Sequence, residues 1–354
     1  MSSTDPKHRD LVESPLAGDD DDIRSQTYRL VAIMHRDLVI RKAQGRRAYV
    51  TMLAGDYDEA LIGAVGLVKG LKKVTSQYPL VVAVLPDVSE KDRKLLASHG
   101  CIVKEIEPVI MASYVTDYSK LRIWELEEYD KMIYLDVFVQ VFENIDHMFD
   151  YPDSYFYATL DCFCEKSWSH SPQHKIGYCQ QWPNMVQMDP TLGPKPPLYF
   201  NASMFVFEPS SVTYRDLVKT LQTSRTTAFA EQDLLNVVFK DKLVALAPHY
   251  NLLLPMLWRH PEAVELDRVK VVNYCANGSK PWTYTGKEEN MEREDVKMLV
   301  NKWEEIYSDD SLDYKETLTS AEVEKGTDQV NVNPSEAAFS ETGAVEFISG
   351  PSAA

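Results

Sequence analysis

The feature that most constrains the fold is a series of short, buried-type strands separated by segments with helical periodicity. Strands are predicted at residues 48–53, 79–86, 101–106 and 132–135, with helices at 61–74, 89–97 and 118–129 between them. Alternation of strands and helices at this spacing is typical of βαβ units. The sequence therefore predicts an α/β fold with a mostly parallel central sheet.

The last of these strands ends at an acidic residue. Met132 to Leu135 are apolar throughout, Asp136 follows, and a second apolar run covers residues 137–142. A continuous apolar run is typical of a strand covered on both faces. In open α/β sheets, ligands bind in the crevice beyond the carboxyl ends of the strands. Asp136 is therefore the first candidate functional residue, and the alternative interpretation is that its side chain caps the following turn.

The regular alternation of predicted strands and helices ends after residue 150. Further strands are predicted at 154–160, 198–207 and 269–274, and helices at 212–222, 231–239 and 290–307. The long loop at 163–198 is of a length that is usually functional. Residues 1–27, which are acidic, and residues 308–354, which are rich in Ser, Thr and Glu, are predicted to be disordered. One domain at 28–307 remains, opening with a helix predicted within 28–44.

Composition excludes several classes of protein. The 354 residues carry 37 basic and 54 acidic side chains, a net charge of −17, which argues against nucleic acid or an anionic membrane as a partner. No apolar run reaches the roughly 20 residues needed to span a bilayer. The N-terminus lacks the layout of a signal peptide, and five scattered cysteines do not suggest a disulfide framework. We expect a reduced, cytoplasmic protein.

Common catalytic motifs are missing from the sequence. It has no G-x-x-x-x-G-K-[ST], no G-x-G-x-x-G after the first strand, no H-E-x-x-H and no G-x-S-x-G. Cys162-x-Cys164 and Cys179, near His170 and His174, leave zinc open as one hypothesis. Because C-x-C is not the usual zinc-finger spacing, buried free thiols are the favoured interpretation.

Polar residues at predicted strand ends are more informative. They are Asp136, residues 201–203, residues 231–233 and residues 278–282. Each set has an ordinary interpretation as a turn, a cap or a solvated face. Lys280, however, lies between a glycine-containing turn and a rigid Pro-Trp pair, and such a loop can deliver an ammonium group to a phosphate.

Long segments of the chain resemble the plant galactinol synthases of glycosyltransferase family 8. They include SKLRIWE (119–125), KMIYLD (131–136), QVFENIDHMFD (140–150), DCFCEKSWSH (161–170), KIGYCQQ (175–181), LGPKPPLYFNASMFVFEPS (192–210), AEQDLLN (230–236), HYNLLLPMLWRHPE (249–262) and GSKPWTYTGKEENMERED (278–295). The resemblance runs from about residue 47 to residue 314 and implies a GT-A fold, with one Rossmann-like domain that binds a nucleotide sugar. The reaction it implies is transfer of galactose from UDP-galactose to myo-inositol with retention of configuration, as in the raffinose-family oligosaccharide pathway. It also implies Mn²⁺, which would act as a Lewis acid on the diphosphate.

The resemblance also assigns roles to individual residues. Asp136 is expected at the metal and the donor, and Lys120 in catalysis or donor binding. Gln232 and Asp233 are expected near the anomeric carbon, where a retaining reaction needs a nucleophile or a charge stabiliser. Residues expected to bind the donor are Asp136, Asn201, Gly278 and Lys280.

Two expected metal ligands are replaced in this chain. Phe138 stands at the second aspartate of the family's Asp-x-Asp motif, and Asn273 at the family's late histidine. Phenylalanine offers no ligand atom, and asparagine offers only a neutral oxygen. Two hypotheses therefore remain: a transferase with a weakened metal site, and a non-catalytic family member with a binding or regulatory role.

Overall fold

The computed structural model describes residues 46–53, 57–109, 118–165, 168–169, 171–181, 196–223 and 229–313. From Arg47 onward these residues belong to one compact unit. The predicted disordered N-terminus at 1–27, the helix predicted within 28–44 and the predicted tail beyond residue 313 lie outside the described residues. No helix within the described ranges is long and apolar enough to cross a membrane.

Ten strands occur in the part of the chain that the structure describes. They are β1 (Arg47–Met52), β2 (Leu80–Val84), β3 (Ile102–Glu105), β4 (Lys131–Leu135), β5 (Val139–Val141), β6 (Phe156–Leu160), β7 (Phe200–Phe207), β8 (Leu243–Leu246), β9 (Leu252–Leu253) and β10 (Val271–Asn273). Seven of them form a central sheet in the order β3-β2-β1-β4-β7-β6-β8. Strand β7 is antiparallel to both of its neighbours, and the other pairings are parallel. The predicted mostly parallel α/β sheet is confirmed.

Five helices longer than two turns are described. They are α1 (Tyr57–Lys73), α2 (Glu90–Ser98), α3 (Ser211–Thr223), α4 (Ala230–Phe239) and α5 (Glu294–Tyr307). The Ser89 hydroxyl caps α2 by accepting a hydrogen bond from the Asp92 N–H, and Gly100 has a φ of +84° just beyond that helix. Alternate residues of the central strands join apolar clusters on opposite faces of the sheet, which explains their continuous apolar runs.

The helix predicted at 118–129 is wrong in type and length. Residues Ser119–Glu125 form a 3₁₀ helix, and turns follow it. Leu121, Ile123 and Trp124 are buried, while Arg122 and Glu125, three residues apart, form an ion pair of 2.7 Å on the outer side of the segment. Trp124 stacks on Phe205 with ring centroids 5.6 Å apart. Tertiary packing therefore overrides the local helical pattern here.

A smaller sheet lies beyond the end of β4. Its order is β5-β10-β9, with β5 antiparallel to β10. The middle strand, β10, lies within the strand predicted at 269–274 and is shorter than predicted. Strands β8 and β9 were not predicted from the sequence. Strand β8 is partly exposed at the edge of the central sheet, so its residues lack a continuous buried pattern.

The domain does not end with α5 at residue 307. Lys69 Nζ donates to the carbonyl oxygen of Tyr307 at 2.7 Å and forms an ion pair with Asp313 at 2.9 Å. Lys72 Nζ donates to the carbonyl oxygen of Leu312 at 2.8 Å. Residues 308–313 therefore pack on α1, and the predicted start of a disordered tail at 308 is too early.

We expect Gly63→Ala to destabilise the domain. Gly63 lies in α1 against the turn after Asp136, and a Cβ there would lie 2.2 Å from the carbonyl oxygen of Val137. Overpacking of this kind costs about 1–3 kcal/mol, which exceeds the roughly 1 kcal/mol that alanine gains over glycine in a helix. Urea unfolding followed by circular dichroism measures the change. The exposed Glu305→Ala in α5 is the control, and equal stability of native and Gly63→Ala chains would contradict the expectation.

Candidate active site

A cavity of about 130 Å³ opens at the carboxyl ends of β1 and β4. Its walls are formed by Met52, Lys120, Tyr134, Asp136, Val137, Phe138 and Glu231. Met52 is the last residue of β1, and Asp136 directly follows β4. This is the crevice in which open α/β sheets bind their ligands. Two predicted site residues, Lys120 and Asp136, therefore share one cavity.

Asp136 is held by hydrogen bonds at its backbone N–H and at both carboxylate oxygens. Its N–H donates to the carbonyl oxygen of Ser203 at 2.8 Å. Its Oδ1 accepts the N–H of Phe138 at 3.2 Å, and the Tyr134 hydroxyl donates to Oδ2 at 3.4 Å. The interpretation of Asp136 as a turn cap is therefore correct for Oδ1. The side chain nevertheless lines the cavity, so capping and ligand binding are compatible.

Lys120 is a buried cation in the wall of the cavity. Its Nζ donates to the carbonyl oxygen of Ala202 at 2.9 Å and to Glu231 Oε1 at 3.3 Å. The same atom lies 4.1 Å from the centroid of the Tyr134 ring. Glu231 is absent from the predicted site residues, although its neighbours Gln232 and Asp233 are among them. Its carboxylate is the one that faces Lys120 and the cavity.

Lys280 contacts Phe138, one of the residues that line the cavity. Its Nζ donates to Glu59 Oε2 at 2.8 Å and lies 4.4 Å from the centroid of the Phe138 ring. Gly278, two residues earlier, has a φ of +75°, and a Cβ there would lie 2.5 Å from the Glu288 side chain. Gly278 therefore shapes the loop that carries Lys280.

A buried polar network continues from this wall. Asp161 Oδ2 accepts hydrogen bonds from Asn201 Nδ2 at 3.1 Å and Gln232 Nε2 at 2.9 Å. Gln232 Oε1 in turn accepts the N–H of Ala202 at 2.9 Å, so the backbone of Ala202 joins this network to Lys120. Burial raises the pKa of Asp161 to about 6, although its hydrogen bonds lower it.

Asp161 is absent from the predicted site residues, and a sequence signal for it exists. It directly follows β6, as Asp136 directly follows β4, and both are carboxylates at strand ends. Asp233, which is a predicted site residue, does not bind Asp161 directly. It accepts a hydrogen bond from the Tyr199 hydroxyl at 2.7 Å. Tyr199 also contacts Gln232 Nε2 at 3.3 Å, so Asp233 reaches the network through Tyr199.

Asn273, at the position where the resemblance implies histidine, is buried in the same region. Its Nδ2 lies 3.4 Å from Asn201 Oδ1, which also accepts from Asn251 Nδ2 at 3.1 Å. This position therefore supplies a neutral amide to a hydrogen-bond network.

The residues around Asp136 do not fit the manganese centre that the resemblance implies. The Phe138 ring lies below the Lys280 ammonium and offers no donor atom, and Asn273 is bound to Asn201. Among the described residues, ligand atoms of three or more His, Cys, Asp or Glu residues converge at one place, Cys162, Cys164 and His260, and Asp136 is not among them. One carboxylate does not make the oxygen-rich, multidentate site that manganese prefers.

The family model for glycosyl transferase family 8 matches residues 47–286. The chain belongs to this family. It is 59% identical to galactinol synthase 2 of Solanum lycopersicum over 322 residues, which are 88% of this chain and 94% of the relative. It is also 59% identical to galactinol synthase 2 of Arabidopsis thaliana over 319 residues, 87% of this chain and 94% of the relative.

These comparisons confirm the resemblance to plant galactinol synthases and the prediction of a hexosyltransferase. Among solved structures, the bifunctional glycosyltransferase WbbM aligns with 74% of this chain and 51% of its own, at a TM-score of 0.51 and 17% identity. At that identity the likeness shows the fold alone. The fold is of the predicted GT-A type.

We expect Asp161→Asn to change how stability depends on pH. Because the folded-state pKa of about 6 lies above the ordinary 3.8, the native carboxyl holds its proton longer than the unfolded one. The stability that this proton supplies is complete at low pH and is lost as the pH rises through about 6. Relative to the native chain, the asparagine variant should gain about 2 kcal/mol of unfolding free energy between about pH 4.5 and about pH 7.

Urea unfolding at a series of pH values tests this expectation. The exposed Asp267→Asn variant is the matched control for the loss of one carboxylate. A difference between Asp161→Asn and native chains that is constant with pH would contradict the assigned shift.

Proposed function

We propose that the chain is a retaining galactosyltransferase that moves galactose from UDP-galactose to myo-inositol. The observation that carries the proposal is the cavity at the carboxyl ends of β1 and β4, where Lys120, Asp136 and Glu231 converge. The choice of sugar and acceptor rests on the relatives, which are named galactinol synthases. The family and these relatives do not favour the alternative of a non-catalytic member with a regulatory role.

In this proposal, Lys120 and Lys280 neutralise the diphosphate of the donor. Lys120 is paired with Glu231, and Lys280 with Glu59, and the two glutamate side chains are 30% and 31% exposed. Because both carboxylates have access to solvent, they can turn away when phosphate oxygens take their places. The two ammonium groups then stabilise the negative charge that develops on the leaving UDP.

The network of Asp161, Asn201 and Gln232 supports a role in holding the galactosyl group. Gln232 and Lys120 both bind the backbone of Ala202, Gln232 at its N–H and Lys120 at its carbonyl oxygen. This shared contact supports a place for the Gln232 amide between the diphosphate and the sugar. Asp233 acts as a positioning residue through the Tyr199 hydroxyl. Burial and the hydrogen bond to Asp233 raise the pKa of Tyr199, so its phenol stays a donor at neutral pH.

Asp136 supplies a carboxylate at the donor. Because the residues around it do not fit a manganese centre, the positive charge required by the leaving group comes from the lysines. Several kcal/mol of stabilisation by a Lewis-acid metal are then replaced by two ammonium groups, and each 1.36 kcal/mol that they fail to replace costs about tenfold in rate.

The proposal is tested with the purified full chain, UDP-galactose and myo-inositol, with UDP release and the galactosyl-inositol product both measured. We expect release of UDP that depends on inositol and changes less than about tenfold when Mn²⁺ is added. The double variant Phe138→Asp, Asn273→His should acquire a clear dependence on Mn²⁺. UDP-glucose in place of UDP-galactose tests the choice of sugar.

The outcomes separate two failures. If the native chain makes no product with or without Mn²⁺, the proposed reaction is wrong. If the native chain makes product only with Mn²⁺, the reaction stands and the assignment of its charge stabilisation to the lysines is wrong.

We expect Lys280→Met to lower kcat/KM by about 10²–10³, because a charge partner of the leaving group is lost. Affinity for UDP, measured by calorimetry, should weaken in parallel. Lys287→Met is the matched control, since Lys287 is an exposed lysine in the same loop. If Lys280→Met keeps the native kcat/KM, Lys280 does not contact the diphosphate during transfer.

A further inference from the structure

Two cysteines and one histidine converge next to the polar network of the candidate site, and a third cysteine, Cys179, contacts that histidine. Ligand atoms of Cys162, Cys164 and His260 all lie within 4.8 Å of one another. His260 Nε2 lies 3.3 Å from Cys164 Sγ and 3.5 Å from Cys179 Sγ. All five cysteines of the chain are free thiols, so the sulfurs of the cluster are available as metal ligands.

We propose that Cys162, Cys164, Cys179 and His260 bind one zinc ion. Structural zinc sites are tetrahedral, with Zn–S distances of about 2.3 Å and Zn–N distances of about 2.0–2.1 Å. Tetrahedral geometry at those lengths separates a sulfur from a nitrogen by roughly 3.5 Å and two sulfurs by roughly 3.8 Å. The two sulfur–nitrogen distances of 3.3 Å and 3.5 Å already match this arrangement. Thiolate and imidazole ligands select zinc over manganese, magnesium or calcium, which prefer oxygen.

The burial of the cluster indicates a structural site. The side chains of Cys162, Cys179 and His260 are buried, and Cys164 is half-buried. Four protein ligands fill a tetrahedral zinc ion and leave no open position for water or substrate. On the other ring nitrogen, His260 Nδ1 lies 3.9 Å from Glu262 Oε1, so a carboxylate is near to orient the imidazole after a small shift.

The fourth ligand differs from those that the sequence suggests. His174, one of the two histidines near the cysteines, directs Nδ1 to the carbonyl oxygen of Phe163 at 3.0 Å. His170 lies outside the described residues. His260 is 81 positions from Cys179, so sequence spacing alone does not reveal the set. The C-x-C pair supplies two ligands, and the fold brings the other two from separate segments.

The cluster is coupled to the active site through neighbours in the sequence. Asp161, the carboxylate that binds Asn201 and Gln232, is adjacent to Cys162. Gln180 is adjacent to Cys179, and its Nε2 donates to the carbonyl oxygens of Asp161 at 2.7 Å and Tyr199 at 2.6 Å. A zinc ion would therefore hold both ends of the segment from 161 to 181 against His260.

Metal analysis of the full chain tests the proposal without substrate. After dialysis, elemental mass spectrometry should find about one zinc ion per chain. Cys164→Ala and Cys179→Ala should each lose most of that zinc. Cys101→Ala is the matched control and should keep it, because Cys101 is a buried thiol in a different apolar cluster. Exchange with Co²⁺ should give thiolate-to-cobalt charge-transfer absorption in the native and Cys101→Ala chains only.

A second measurement keeps the test valid if a variant fails to fold. In the native chain, alkylation of the thiols should release zinc to a colorimetric chelator, and chelation should lower the melting temperature. Zinc far below one per chain, zinc retained by both cysteine variants, or a Cys164–Cys179 disulfide in non-reducing peptide mass spectrometry would overturn the proposal. None of these readouts uses UDP-galactose. Failure of the zinc proposal is therefore distinguishable from failure of the proposed reaction.

Discussion

The active-site cavity depends on the antiparallel seam between β4 and β7. Leu135 pairs with Met204 at the end of this seam, and the N–H of Asp136 donates to Ser203. The seam thereby places Ala202 beside the end of β4. The carbonyl of Ala202 accepts from Lys120 and its N–H donates to Gln232. A single peptide segment on β7 thus holds the cationic wall of the cavity and the polar network in a fixed relation.

Two lysine–glutamate pairs, Lys120 with Glu231 and Lys280 with Glu59, lie beside the cavity. The ring of Phe138 supports the Lys280 ammonium at 4.4 Å, a cation–π contact that is worth about 0.5–1 kcal/mol at a partly exposed site. Phe138, where the resemblance implies an aspartate, therefore supports a lysine beside the cavity. Asn273, where the resemblance implies a histidine, donates a neutral hydrogen bond to Asn201.

Much of the fold was predictable because its strands are buried on both faces. All of β2 and residues 132–135 of β4 are apolar, and α2 begins after the Ser89 cap and ends before Gly100, as the sequence indicates. The 3₁₀ type of the segment around Trp124 was not predictable, since its buried residues also fit the pattern of an α-helix and tertiary packing decides between the two. β8 was also missed, although Leu243–Leu246 are all apolar, because so short an apolar run does not distinguish a strand from a buried helical segment.

In the candidate site, local sequence identified some residues, whereas contacts set by tertiary packing were missed. Lys120 and Asp136 were expected to act together, and they line one cavity. Glu231 was passed over for Asp233, because a sequence of three polar residues at a helix start does not tell which one faces the cavity. Only the orientation of α4 directs Glu231 to Lys120 and Asp233 to Tyr199. His260 was not predictable as a partner of the cysteines, since long-range packing alone joins them.

Residues of the polar network are sequence neighbours of the clustered cysteines, and this arrangement affects how the candidate site is held in place. Fixing the backbone of a flexible residue costs about 1–2 kcal/mol, and a loop ordered only when substrate binds takes that cost from the binding energy. Asp161 and Gln180 each adjoin a cysteine whose sulfur lies in the cluster around His260. In the proposed zinc site, anchoring the cysteines would order the carboxylate and its supporting amide before a substrate binds. Such preorganisation would let the side chains of the candidate site act without first being ordered by the substrate.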